Sequence, residues 1–235
     1  MSESADVATS AEPQITMHGA ALAAGIIVLA VANFMAILDL TIVNVAVPHI
    51  AGALAVSPNE GIWVITSYAV AEAITVPLSG WLAARFGTVR VFVVASLAFG
   101  LSSTLCGFAP TLPLLVTFRV VQGLAGGPLM PMSQTLLLRI APPDKSNMAM
   151  GLWMMTTILA PVAGPILGGG IADTIGWPWA FYINVPVSIF CAMAGWRMLE
   201  SRETAVVRNP IDYVGLALLI VFVGALQVML DNGLN

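Results

Sequence analysis

From Val91 to Phe118 the chain carries no Asp, Glu, Lys or Arg, and the same gap recurs at Pro13–Leu38, Val120–Leu138, Ser146–Ala172, Thr174–Trp196 and Tyr213–Leu230. A helix that crosses a bilayer needs about 20 mostly apolar residues, and it satisfies its own backbone groups where no water can. Each window is therefore a candidate span. A further one, Gly61–Ala83, is interrupted only by Glu72. Charged residues make up 9% of the 235, against roughly 25% in a soluble domain. The expected fold is an all-α integral membrane protein: a polar tail at 1–16, a six-helix membrane bundle at 17–200, a linker at 201–212 and a seventh membrane helix within 213–235. Helices are expected near 20–46, 61–83, 91–108, 112–138, 148–171, 179–198 and 213–230.

Seven of the eight Lys and Arg residues fall in alternate connections: Arg85 and Arg90, Arg139 and Lys145, then Arg197, Arg202 and Arg208. Basic residues concentrate on the cytoplasmic side of membrane proteins. This predicts a cytoplasmic amino terminus, with Glu60, Asp173 and the residues after Leu230 outside. The tail holds Glu3, Asp6 and Glu12 but no Lys or Arg, so it lacks the basic start of a cleaved signal peptide, and the first helix is expected to stay in the mature chain.

The absent motifs remove whole classes of chemistry. The only lysine, Lys145, follows Asp144, so there is no Gly-Lys-Ser/Thr phosphate loop and no basis for ATP hydrolysis. Neither H-E-x-x-H nor G-x-S-x-G occurs. The chain is expected not to be an enzyme, with no cofactor, no metal site and no nucleic-acid partner. Cys106 and Cys191, without paired spacing, read as free apolar fillers. His18 and His49 read as ordinary residues flanking the first helix.

Asp39, Glu72 and Arg119 lie inside predicted spans, where a charge at mid-bilayer costs about 2.5–3.5 kcal/mol on insertion scales. Such residues face a cavity or one another. If the first helix ends near Ala46, before the proline of "ILDLTIVNVAVPHI", Asp39 and Arg119 both lie about 10 Å below the outer surface, at 1.5 Å per residue. They can pair. Two readings stay open: a static brace between helices, or a group that gates or carries protons. Glu72 shares a helix face with Tyr68, Thr75 and Ser79, a stripe that suits substrate or proton contact or a helix-packing network. Arg119, Gln122 and Gly126 share a face of the fourth helix. In "APVAGPILGGG", Ala160, Gly164 and Gly168 form a small-residue ridge that admits a close neighbour, while Pro161 and Pro165 remove backbone donors and bend the helix. Met35, Met130 and Met132 suit either an adaptable pocket or a lipid-facing surface.

Together "LDLTIVNVAVP", "SGWLAARFGTVR", "FRVVQGLAGGP", "APVAGPILGGG", "WAFYINVP" and "LQVMLDNGLN" resemble the major facilitator superfamily. The likeness is to its fourteen-helix drug:proton antiporter branch and, within it, to EmrB-type multidrug exporters. The resemblance implies export of hydrophobic or amphipathic drug-like compounds across the bacterial inner membrane in exchange for protons. The proton gradient supplies the energy, and two six-helix bundles alternate access. It also implies docking on a periplasmic adaptor protein and an outer-membrane channel. Asp39 matches the family's helix-one acid, and Arg119 with Gln122 its helix-four pair, both tied to proton coupling. Glu72 joins that expected set, and Asn44, Tyr68, Gln122 and Met35 are expected at the substrate cavity. Gly164, Pro165, Gly168 and Gly169 match the antiporter motif, and Gly80, Arg85 and Gly87 the loop motif. That loop departs from the usual pattern: Ala84 stands at the acid position and Thr88 at a later basic one. With seven helices, the chain is expected to be an amino-terminal portion. Ion-coupled nutrient uptake is the alternative transport reading; a seven-helix receptor matches the helix count but normally places its amino terminus outside.

Overall fold

A computed structural model describes residues 16–204, 206 and 213–233, and every regular element among them is helical. The first span is α1 (Gly19–Ala53). The second is α2 (Pro58–Gly61) followed by α3 (Trp63–Phe86), and the third is α4 (Thr88–Gly107). The fourth is split into α5 (Leu112–Gly126) and α6 (Leu129–Ile140). α7 (Ser146–Thr174) is the fifth, and α8 (Trp179–Tyr182) with α9 (Asn184–Leu199) the sixth. Six spans are long and apolar enough to cross a membrane, and a seventh helix, α10 (Tyr213–Gly233), packs against α3. The expected tail over residues 1–15, Arg208 with most of the linker, and the end at 234–235 lie outside the described residues.

Two expected boundaries are corrected. Pro48 does not close the first helix, which runs on to Ala53 with Pro48 inside it. Pro48 withholds one backbone donor, but Val47, Ile50 and Ala51 around it are buried, and that packing carries the helix through. The C-terminal end of α1 runs beside that of α7, where His49 Nε2 meets Asp173 Oδ1 at 2.9 Å. The fourth span, expected as one helix over 112–138, breaks at Gly127–Pro128, because proline cannot donate to the preceding turn. The "SPNEG" connection is also more ordered than a bare turn. Ser57 and Glu60 form a reciprocal capping box that starts α2, satisfying two backbone donors.

Two apolar clusters fill the bundle. One, centred on Leu29, Met35, Phe92, Phe99, Leu136 and Ile140, lies toward the end that carries Arg139 and Lys145. The other, with Ile42, Ile50, Val64, Leu115 and Phe181, lies toward the opposite end. α1 threads both, and Asp39 sits where one gives way to the other. The Met17 backbone N–H donates to the Ile140 carbonyl at 2.7 Å, which ties the start of α1 to the end of α6, beside the basic connections.

Candidate functional site

Asp39 and Arg119 are both fully buried, with 0% of either exposed, and Arg119 Nη1 lies 2.6 Å from Asp39 Oδ2. The expected pair forms, although the depth argument for it rested on a wrong helix end. Asp39 is fourteen residues before Ala53 (53 − 39), about 21 Å along the axis, whereas Arg119 is seven after Leu112 (119 − 112), about 10 Å. The two still meet because the C-terminal end of α1 runs on past the start of α5.

Arg119 reaches the site on a narrow buried face of α5 made by Leu115, Arg119, Gln122, Gly123 and Gly126, at helical spacings of three and four. Its Nη1 also donates to Gln122 Oε1 at 2.8 Å, and its Nε to the Val64 carbonyl at 3.0 Å. The guanidinium carbon stands 4.1 Å from the centre of the Tyr68 ring, which adds a cation–π contact in a dry setting. Gln122 Nε2 then donates to Asp39 Oδ1 at 3.1 Å, closing a three-residue ring of hydrogen bonds.

Two members of the site escaped the sequence reading. Asn184, the first residue of α9 and 1% exposed, donates from Nδ2 to Asp39 Oδ1 at 2.6 Å and to Ser103 Oγ at 3.2 Å. Ser103 on α4 donates in turn to the Phe181 carbonyl at 2.9 Å. The available signal was an asparagine between apolar residues in "FYINVP", but without an opposite charge nothing marked it as Asp39's neighbour. Cys106 is more than filler: its thiol lies 3.4 Å from Gln122 Oε1, at the rim of the network. The Asp39 carboxylate thus collects donors from α5 and α9. This satisfies the buried charge that would otherwise oppose folding.

Of the other candidates, Tyr68 joins this cluster and the rest are placed apart. Glu72 is half-buried, and its carboxylate makes no hydrogen bond or ion pair among the described residues. Its stripe turns inward at Thr75, which donates to the carbonyls of Ala71 and Gly123, and at Ser79, which donates to that of Thr75. Those two serve helix packing. Tyr68 is fully buried against Arg119, Met35 is a core residue at 2% exposure, and Asn44 is exposed on α1, away from the cluster. Met132 is also buried, whereas Met130 is exposed.

Gly164 and Gly168 are buried against α1, where a side chain on either would strike Thr41 or the Ile42 backbone. Thr41 also points its hydroxyl at the Ala160 carbonyl, 3.4 Å away. The small-residue ridge therefore docks on α1 two to three residues from Asp39. Pro165 is exposed, and a side chain at Gly169 would meet nothing within 4 Å. In the loop motif, Gly87 has φ +94°, a conformation glycine favours, and a Cβ there would strike the Glu203 carboxylate. That carboxylate accepts from the backbone N–H groups of Val89 and Arg90 at 3.0 and 2.9 Å, capping the start of α4. Gly80 is exposed and Arg85 half-buried.

Comparison with known proteins places this geometry. The chain is 52% identical over 217 residues to the multidrug export protein EmrB of Haemophilus influenzae, covering 92% of this chain and 42% of that protein. It is 52% identical to the fatty acid resistance protein FarB of Neisseria gonorrhoeae (92% and 43% covered) and 49% identical to EmrB of Escherichia coli K12 (94% and 43%). The chain spans less than half the length of these curated relatives. Among solved structures, a peptide transporter POT in complex with sulfate superimposes with a TM-score of 0.69 at 16% identity, over 89% of this chain and 46% of that one. The xylose transporter XylE of E. coli gives 0.67 at 16%, over 90% and 60%. These distant likenesses establish the shared helical fold. The Major Facilitator Superfamily model matches residues 29–230, most of the chain, and the chain belongs to that superfamily of membrane transporters.

Proposed function

We propose that this six-helix unit is one of the two bundles of a proton-driven exporter of hydrophobic or amphipathic compounds, and that Asp39 carries the proton. The observation behind this reading is a carboxylate sealed from solvent, held by donors from two other helices and set beside the close α1–α7 contact. Intramembrane acids of this kind mark ion pathways, and relatives named for multidrug export support the direction of transport.

The two oxygens of Asp39 are not equivalent. Oδ1 accepts from Gln122 and Asn184, whereas Oδ2, among the described residues, accepts from Arg119 alone. A proton arriving at Oδ2 displaces a single bond and leaves both amide bonds in place. Arg119 Nη1 keeps an acceptor when this happens, because Gln122 Oε1 is already within 2.8 Å. Rocking of this bundle against the second one would open Asp39 to one side or the other, the rigid movement by which transporter halves alternate access. A shift of α7 on α1 along the Ala160–Gly164–Gly168 ridge would carry that movement to Asp39. The exposed apolar face of α7, with Ile158, Val162 and Ile166, is then where the second bundle or lipid lies.

In this reading the amino terminus and basic connections face the cytoplasm, the protein sits in a bacterial inner membrane, and Glu72 contributes to proton entry or cargo contact. A periplasmic adaptor protein and an outer-membrane channel would complete the export route, on family resemblance alone. The test is exchange in proteoliposomes by the full-length protein. Asp39→Asn is expected to bind drug but to release no protons on drug addition. Wild-type exchange by that variant would reduce Asp39 to a structural partner of Arg119.

A further inference from the structure

At the basic end of the bundle, a groove of about 590 Å³ opens between α3, α4 and the α5–α6 junction, with Val206 of the linker also lining it. Its walls are apolar, with Leu82, Val94, Ala98 and Leu124 among them, and Val94 is 64% exposed. Two of its lining residues, Arg85 and Arg90, are basic. Pockets of roughly 300–1,000 Å³ are of a size that engulfs small amphiphiles. Arg85 makes no ion pair among the described residues. Arg90 is 61% exposed, with its Nε 4.0 Å from Glu203. The Glu203 carboxylate is meanwhile occupied by backbone donors of α4 and of Thr204. The groove therefore combines an apolar bed along two membrane helices with a guanidinium that, among the described residues, has no partner carboxylate, at the end of the bundle that carries the basic connections.

We propose that this groove is a binding site for an anionic phospholipid of the leaflet at the basic end, with an acyl chain along Val94, Ala98 and Leu124 and the headgroup phosphate at Arg85 and Arg90. Charge complementarity selects the occupant: a neutral hydrophobic compound would fill the apolar bed and leave Arg85 without a counter-charge, and a free phosphate would leave the bed bare. Basic pockets between membrane helices on the cytoplasmic side take anionic headgroups for the same reason. The site does not depend on the transport reading, because it uses neither Asp39 nor the α1–α7 contact.

Native mass spectrometry of the full-length protein in detergent, titrated with phosphatidylglycerol, phosphatidylcholine or glycerol phosphate, tests this. Phosphatidylglycerol is expected to be retained over phosphatidylcholine by up to about 30-fold, from two basic side chains at a lipid surface, with no retention of glycerol phosphate. Arg85→Gln with Arg90→Gln should remove the preference. Ala98→Phe, which leaves both charges and fills the bed, should remove retention itself. If the charge variant fails to fold, the Ala98→Phe result decides. Equal retention of both lipids would identify an ordinary lipid-facing surface, and unaltered preference in either folded variant would place the lipid elsewhere. Retention of glycerol phosphate alone would identify a simple anion site. Each of these three results overturns the proposal.

Discussion

Asp39 and Glu72 are both acids inside apolar helices, and the bundle treats them in opposite ways. Asp39 is fully buried and held by Arg119, Gln122 and Asn184 from two other helices. Glu72 is half-buried and, among the described residues, its carboxylate has no partner. Yet the two belong to neighbouring spans, and Glu72 lies one helical turn from Tyr68, whose ring covers Arg119. The difference separates two ways of tolerating a carboxylate in a membrane: complete internal pairing, which a conformational change must break, and partial exposure, which needs none.

The sharpest way to break this comparison is to remove the partner of the sealed acid. Arg119→Ala leaves Asp39 buried without its counter-charge, and breaking a buried pair in this way costs about 3–5 kcal/mol. A large fall in the thermal unfolding midpoint of the full-length protein in detergent is expected. Adding Asp39→Asn to that variant should restore part of the loss, since the orphaned charge disappears with it. A double variant no more stable than Arg119→Ala alone would mean that Arg119 braces the bundle through Val64 and Tyr68 and that the ion pair contributes little.

A smaller effect is expected at Asn184. Asn184→Ala takes one of two amide donors from Asp39 Oδ1 and the donor that reaches Ser103. Hydrogen bonds between membrane helices average near 0.6 kcal/mol, but those to charged groups are worth about 1.5–3, so a loss of about 1–2 kcal/mol is expected. Proton-coupled exchange should slow while drug binding persists. Asn184→Ala with both properties unchanged would show that the α9 donor is dispensable.

How far the sequence carried this picture depends on the kind of residue. Charges in apolar windows stand out because they are costly there, so Asp39, Arg119 and the spans holding them were legible at once. Helix ends were less so. Pro48 and Pro128 look alike in sequence, yet the helix continues through the first and breaks at the second. Around Pro48 the flanking residues are buried and hold the helix; before Pro128 stand two glycines, and Gly127 packs tightly on Thr75. Asn184 and Ser103 are neutral and common, and only tertiary contact brings them to Asp39. The capping of α4 by Glu203 spans more than a hundred residues of chain and had no local signature. A glycine at 87 was a recognisable element of the loop motif, but the carboxylate that fills the space beside it was not.

The smallest expected effect distinguishes the second acid. Glu72→Gln keeps the shape and the polar head of a side chain that has no ion pair to lose, so the folded bundle should change by less than about 0.5 kcal/mol, as at exposed sites. Its unfolding midpoint should sit within error of wild type, in contrast to the large loss from Arg119→Ala. Transport sets the finer limit. If Glu72 passes protons toward Asp39 or meets cargo, exchange should slow in the variant while stability holds, whereas a residue with only a packing role would alter neither. A drop in stability comparable to that of Asn184→Ala would show that Glu72 is anchored after all, and the contrast between a sealed and an open carboxylate would no longer hold.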